Sequence, residues 1–572
     1  MQLTDRGAVA LAVCAWMGAW WHRPVAVVAM VAVIGVTLAF RRPLLLVAAV
    51  GVVASGLAAR SYSGLQPIEP GSCRQVVTLV SDPVASSFGW RADVRIDGRR
   101  VELRAADGAG GALSRALTGE RIWVEGRLAP PRPNSPWLVP RHVVGRLSAT
   151  VVERVGSGAV TWRAANRVRR LLQEGSASMG EPQRSLYGGF VLGDDRNQAP
   201  EIVDDFRGAG LTHLLVVSGQ NVGFVLVLVS PLTARLGWRG RWTATVAVIL
   251  AFGIITRFEP SVLRASAMAA VAVTAGAVGR PSGSVRTLAV AVTGVILIDP
   301  LLVRSVSFQL SVGASLAIAL FAARIATIIP GPRGFADALG VTMAAQFGVA
   351  PVLVPLTGGL PVVSLVANPL AVPVAGLVTT WGLPAGAIAG LAGPVVAAVI
   401  HTPTDLMITW VALVARWSAG LPLGAVGWPH LALLGLAAAI ASRVPSVRGI
   451  AAIVAFATLA APAIALRSEP GVVDPAASIS LYRSNGATVV VTNGLTRPLE
   501  LLEVMRTRGV RRVDVLVIAG ARGAEVDRVV RHRWKVGRTL DAATTGPTRL
   551  RVGDLVVTVV PSAAPAVVVR PP

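Results

Sequence analysis

Lysine is almost missing from this chain: of its 54 basic residues only Lys535 is not an arginine. Acids are also scarce, at 30, so the formal net charge is +24. Charged residues of both signs make up 15% of the 572 positions, while 53% are hydrophobic. A soluble chain of this length would divide into several domains with charged surfaces, and that composition excludes it. Only two cysteines occur, Cys14 in an apolar stretch and Cys73 in a polar one. A disulfide framework and a thiolate metal site are thereby disfavoured, and no cofactor is implied. A cleavable-signal pattern is missing as well, because the apolar stretches continue past any plausible cleavage point.

What is present is one apolar run after another, the pattern of helices crossing a bilayer. The basic excess has two plain explanations, orientation by positive loops and attraction to anionic lipid. A polyanionic partner such as nucleic acid is a third.

Four regions follow. Residues 1–60 hold three apolar stretches, 7–21, 24–40 and 43–59, broken by His22-Arg23-Pro24 and Arg41-Arg42-Pro43. The paired arginines suggest a cytoplasmic turn, which would put the next segment on the outer face. Residues 61–158 carry short β-prone runs at Gln75–Val80, Ala92–Ile96, Arg100–Arg104, Arg121–Leu128 and Val143–Val152, separated by Asp-Pro, Asp-Gly and Pro-Pro-Arg-Pro turns. Five strands in under a hundred residues fit a small β-barrel, with an OB-like fold one candidate. Trp90, Trp123, Arg91, Arg95, Arg121 and Arg127 could then serve single-stranded nucleic acid, or Trp123 could belong to an ordinary core. Residues 159–467 start amphipathic and then give some eleven apolar stretches between Leu211 and Leu466. Pro351, Pro355, Pro361, Pro369, Pro373 and Pro384 are expected to break the later ones, as in a channel or transporter. Residues 468–572 read as an α/β domain, with strands at Ile479–Leu481, Thr488–Val491, Val513–Ile518 and Leu555–Val560 and helices at Leu499–Arg508 and Glu525–Val530.

Polar residues inside the apolar middle are the candidates for function. A helix beginning near Thr212 is expected to carry His213, Ser218, Gln220 and Asn221. His213 and Ser218 are five apart, which does not suit a Ser-His hydrolase, so interhelical hydrogen bonding is the plainer role. Arg264, at the head of an apolar helix, costs a few kcal/mol unless it snorkels or finds a partner. A third option is a hydrated path on which it meets phosphate. Gln309 and Asn368 should point into the bundle.

In order along the chain stand Leu192-Gly193-Asp194, Phe206-Arg207, Gly210-Leu211-Thr212-His213-Leu214 and Val217-Ser218-Gly219-Gln220-Asn221. Then come Pro260-Ser261-Val262-Leu263-Arg264-Ala265, Gly279-Arg280, Asp299-Pro300, Phe308-Gln309-Leu310-Ser311, and Asn368-Pro369 with Pro373. This ordered set resembles the ComEC-type DNA-internalisation competence channel family. The resemblance implies a polytopic α-helical membrane protein with an OB-like insert and a C-terminal α/β domain related to the metallo-β-lactamase fold. It implies import of single-stranded DNA across the bacterial cytoplasmic membrane, alongside membrane lipid and the DNA-receptor and DNA-translocase proteins of a competence system. Asp194, Arg207, His213, Ser218, Asn221, Arg264, Gln309 and Asn368 would line or shape the path. Trp90, Arg91, Arg95 and Arg127 would contact nucleic acid.

The family's C-terminal domain often resembles a nuclease, which needs a His-x-His-x-Asp-His cluster to hold two metal ions. Here Val513–Ile518 is followed by Ala519-Gly520-Ala521-Arg522-Gly523-Ala524-Glu525-Val526-Asp527, and His532 stands alone. Leu481-Tyr482-Arg483-Ser484-Asn485-Gly486-Ala487 replaces the usual Asp-bearing turn, and Asn493-Gly494 stands where Asp-Gly is expected. A degenerate, non-catalytic domain with no metal is therefore expected. Its arginines 506, 508, 511, 512, 531 and 533 would form a solvated basic face able to meet phosphate. The competing readings are a transporter of another polyanion or of a lipid, and a membrane-tethered metal-dependent nuclease.

Overall fold

A computed structural model describes residues 4–40, 42–86, 89–279, 283–465, 479–484, 486–492, 496–518, 523–542, 547–560 and 566–570. Arg280, Asn485, Asn493, Gly494 and 519–522, named above, lie outside them. The chain separates into two compact units. One comprises Met1–Asn197, His213–Leu353 and Ala371–Val411; the other comprises Gln198–Thr212, Val354–Leu370 and Ala412–Pro572.

The first unit starts with α1 (Asp5–Trp21), α2 (Val27–Phe40) and α3 (Pro43–Ser63). Alanine and glycine let α1 and α3 pack backbone to backbone: a Cβ on Gly18 would strike the Gly51 carbonyl. Such small-residue contacts replace the hydrophobic drive that hydrocarbon cannot supply. Residues 64–156 form the β domain, with β1 (Gly71–Leu79), β2 (Val84–Ser86), β3 (Gly89–Ile96), β4 (Arg99–Ala105), α4 (Asp107–Ser114), β5 (Arg121–Ala129) and β6 (Val143–Gly156). Its ladder runs β1-β5-β6-β4-β3-β2, and β1 also pairs with β3. Five strands thus return to their starting strand, and β4 pairs β6 in parallel. Alternation buries Ala92, Val94, Ile96, Val101, Leu103, Ile122 and Val124 together. Asp93 and Glu102 face each other across β3 and β4 on the opposite side. Two like charges so placed repel, and Arg141 neutralises both, donating to Asp93 Oδ2 at 3.0 Å and Glu102 Oε2 at 3.1 Å.

The helical middle comprises α5 (Val160–Gly175), α6 (Glu181–Tyr187), a π-helical turn at Gly188–Leu192, α7 (Pro200–Gly208), α8 (Gly219–Thr233), α9 (Trp238–Ile255), α10 (Pro260–Ala277), α11 (Ser284–Ile298), α12 (Val306–Ala326), α13 (Arg333–Thr357), α14 (Ser364–Ala392), α15 (Pro394–Ile400), α16 (Thr402–Gly420), α17 (Trp428–Arg443) and α18 (Arg448–Ala465). Among the described residues α3, α10, α12, α13 and α14 are long and apolar enough to cross a bilayer. The pair α15 and α16, bent by 53°, makes a sixth if it is one span. Two expectations are corrected here. The helix expected from Thr212 begins at Gly219; Thr212–Leu214 is a separate 3-10 turn, and Ser218 is extended at φ −91°, ψ 161°. Pro351 and Pro355 lie inside unbroken α13, and Pro369, Pro373 and Pro384 inside unbroken α14; of the six, only Pro361 falls between helices. Spanning helices tolerate proline because packed neighbours re-satisfy the freed carbonyls.

Within the first unit the helix ends sort into two sets. Arg286 Nε, near the start of α11, donates to Asp5 at 2.7 Å, and Trp242 near the start of α9 reaches Thr274 near the end of α10. At the other ends Arg257 reaches Asp82 of the β domain, His142 reaches Asp299, and the Arg304 guanidinium lies 3.8 Å from the Trp20 ring centre.

In the second unit β7 (Leu360–Pro361) pairs β8 (Ala425–Val426). The C-terminal sheet β12-β11-β10-β9 is built from β9 (Ile479–Ser484), β10 (Ala487–Thr492), β11 (Val513–Ile518) and β12 (Val536–Asp541). One face packs on α19 (Pro498–Thr507) and α20 (Gly523–Arg533). The other packs on β13 (Thr548–Val552) and β14 (Leu555–Val560), which with β15 (Ala566–Arg570) form a second sheet.

Candidate functional site

Three separated stretches meet where α8 begins. Ser261 Oγ, at the head of α10, donates to the Val217 carbonyl at 3.0 Å. A Cβ on Gly219 would stand 2.7 Å from Arg264 Nη2, so only glycine lets the guanidinium lie there. Arg264 Nε then donates to Ser311 Oγ on α12 at 2.7 Å, and Nη1 lies 2.9 Å from Met268 Sδ. Arg264 is buried at 8% exposure, so it does not snorkel. Among the described residues no carboxylate lies within ion-pairing distance of it. Leaving a buried guanidinium so placed costs several kcal/mol, on the order of 3–5.

The same junction reaches back to the π-helical turn. Ser218 Oγ donates to Asn221 Oδ1 at 3.2 Å, and Asn221 Nδ2 donates to the Phe190 carbonyl at 2.8 Å. A π turn inserts one residue and leaves carbonyls without their ordinary helical donor; Asn221 supplies one. A shallow recess opens beside Ser218 and Asn221, lined also by Phe190, Phe224, Gly376 and Thr379. Gly193 closes the turn at φ 70°, where a Cβ would meet Val217.

Asp194 belongs to a different cluster. Arg196 Nε donates to Asp194 Oδ1 at 2.6 Å and Gln173 to its other oxygen at 2.9 Å. Arg169, 1% exposed at its side chain, lies 3.6 Å from Asp194 and 3.0 Å from Asp82 of the β domain. It also donates to the carbonyls of Leu192 and Ile255, at 2.8 and 2.9 Å. Arg257, at φ 65°, adds a contact to Asp82 at 3.1 Å and one to Asn166 at 2.6 Å. Burial raises the Asp82 carboxyl, but Arg169, Arg257 and the Thr118 amide outweigh it and hold it well below the usual carboxylate range.

The remaining expected residues do not join these clusters. Gln309 donates to the Val303 carbonyl at 2.8 Å. His213 is exposed at the 3-10 turn. In the second unit Arg207 pairs with Glu503 at 3.2 Å, and Asn368 donates to Ser364 one turn back at 2.8 Å. On the β domain, Trp90 packs against the core cluster, on the opposite side of β3 from Arg91 and Arg95. Arg91 stands 4.0 Å from Glu102; Arg95 and Arg127 are exposed. Trp123 lies outside the core, its indole donating to Glu125 at 3.4 Å. The C-terminal basic face is largely spent internally: Arg512 pairs with Asp514, Arg531 with Asp527, and Arg506 and Arg533 with α7.

Sequence reasoning passed over Asp82, Arg169 and Arg257. Arg169 had a local signal, since it shares one helical stripe with buried Ala165 and Leu172.

A bundle of apolar helices with buried polar junctions at its helix ends defines a polytopic membrane protein. Residues 190–447 match the Competence protein family, and this stretch is a competence domain of the ComEC type. ComE operon protein 3 of Bacillus subtilis (strain 168) is 25% identical over 229 residues, covering 39% of this chain and 28% of that protein. The match thus spans little more than a quarter of the relative's length. No solved structure matches the chain.

Proposed function

We propose that the protein is a channel that imports single-stranded DNA across the bacterial cytoplasmic membrane during natural transformation, without covalent chemistry. The observation that carries this reading is Arg264, a buried guanidinium with no acid partner among the described residues, where three competence motifs meet. A cation held so in an apolar bundle suits a passing phosphate, whose hydration it replaces.

Two features support the reading. The strand ladder that returns to β1, with β4 and β6 parallel, fits an OB-like barrel offering Arg95 and Arg127 to nucleic acid. Arg6, Arg42, Arg235, Arg239, Arg241, Arg286, Arg324 and Arg333 border the helix ends away from the β domain. By the positive-inside rule those ends face the cytoplasm and the β domain faces out, towards incoming DNA and a receptor protein. We read residues 468–572 as a degenerate metallo-β-lactamase-like domain without nuclease activity, because its sequence lacks the His and Asp ligands at the required turns.

The test is transformation of a competent host in which this chain replaces the resident channel. Arg264→Ala should lower transformants at least a hundredfold at equal protein level, while Gln309→Ala, whose amide serves its own helix start, should change them little. Unchanged uptake by Arg264→Ala would remove the arginine from the mechanism.

A further inference from the structure

In the second unit, two arginines of the C-terminal domain are turned inward onto α7. Arg506 Nε on α19 donates to Asp204 Oδ1 at 3.1 Å. Arg533 Nη1 on α20 donates to Asp204 Oδ2 at 2.8 Å and Asp205 Oδ1 at 3.1 Å, and its Nη2 to the Ala419 carbonyl. Asp204 is 1% exposed, so both its oxygens are held by guanidiniums out of water. Gly208, one turn on, makes the fit possible: a Cβ there would stand 2.8 Å from Arg506 Cδ and 2.9 Å from Ala419 Cβ. Arg416 acts electrostatically on Asp205, and the Glu201 Oε2 atom is buried there without a hydrogen bond.

Two converging guanidiniums whose acceptors are paired anionic oxygens form the geometry that also binds phosphate. Acidic α7 occupies it from the same chain. We propose that Arg506 and Arg533 form a phosphate site masked by Asp204 and Asp205, and that a polyphosphorylated chain displaces α7 from it. The site thereby couples an incoming polyanion to α7, which leads directly into the competence motif at Gly210–Asn221. This rests on the polyanion reading of the cargo proposed above.

The test uses the full chain in detergent, with two probes: short inorganic polyphosphate and a labelled single-stranded oligonucleotide. Asp204→Asn should tighten polyphosphate binding about tenfold, and adding Arg506→Ala and Arg533→Ala should abolish the gain. In the wild-type chain, saturating polyphosphate should speed amide exchange across residues 200–208, a readout that needs no variant to fold. An unchanged affinity in Asp204→Asn, a gain that survives loss of both arginines, or unchanged exchange would overturn the proposal. A gain for polyphosphate without one for the oligonucleotide supports the masked site and counts against DNA as cargo.

Discussion

Replacing Arg169 by methionine is the sharpest single perturbation of the junction between the β domain and the helices. The side chain keeps its apolar stem but loses contacts to Asp82 at 3.0 Å and to the carbonyls of Leu192 and Ile255 at 2.8 and 2.9 Å. Removing one partner of a buried pair costs about 3–5 kcal/mol, because the other charge stays buried. The two carbonyls add to this, but they share its environment and will not sum with it. Arg257 still faces Asp82, so the lower end is the safer figure: about 3 kcal/mol, roughly a hundredfold in an opening equilibrium. Hydrogen exchange on the detergent-solubilised protein measures this directly, over residues 188–194 and 256–259. Neighbouring Arg170 is the control, because it shares Glu120 with Arg154 and is 42% exposed at its side chain. Its replacement by methionine should change exchange by less than tenfold, in line with about 1 kcal/mol for an exposed pair. Persistent protection of these segments in Arg169→Met, or equal opening in Arg170→Met, would refute the assignment of this energy to Arg169.

Four further outcomes are expected. Burial pushes Asp205 up to about 6, outweighing Arg533, with the charge of Asp204 adding to the rise. Its protonated form is therefore favoured in the docked contact, so protection of α7, α19 and α20 should grow as pH falls from 7.5 through 6 to 5, by about 1.4 kcal/mol, the rest of the shift being gained only on further acidification into the ordinary carboxylate range. Asp82 is shifted the other way: its contribution is present above the ordinary carboxylate range and is lost only below it, so the Arg169 junction should stay protected at pH 5. Arg141→Ala should leave Asp93 opposite Glu102 and destabilise the β domain by about 2–4 kcal/mol, seen as increased exchange across β3 and β4. Gly348→Val should separate α13 from α12, since a Cβ there would strike the Gly313 carbonyl, and should lower the thermal midpoint by several degrees.

Much of the architecture could be read from residue patterns. The strand Val513–Ile518 falls where alternating and apolar runs placed it, and the eleven apolar stretches correspond to α8–α18. What failed has physical causes. Gly-Leu-Thr-His-Leu-Leu-Val-Val looks helical by composition, yet Gly210 sits at φ 70° and the helix waits for Ser218, an ordinary N-cap residue. The prolines of α14 suggest the broken helices of a channel or transporter, yet packed neighbours re-satisfy the freed carbonyls and the helix runs on unbroken. Of the expected site residues, Ser218, Asn221 and Arg264 come together because their motifs lie at adjoining helix ends. Asp194 and Arg207 carried a strong local polarity signal, and Arg196 beside Asp194 was legible; Arg169, which joins Asp194 to Asp82, and Glu503, which pairs with Arg207, are distant in sequence, and no local pattern reveals such a pairing.

The π-helical turn at Gly188–Leu192 has a consequence for how this region tolerates length change. One π turn is in effect a single-residue insertion accommodated inside a helix. Deleting one residue there would let the segment relax to an ordinary α-helix, yet rotate everything after it by about 100°. Leu192 would then turn its carbonyl from Arg169, and Phe190 would turn its own from Asn221. The extra residue thus sets the phase between the arginine that anchors the β domain and the amide at the head of α8. A single codon lost here should break both contacts at once while leaving the helix itself intact.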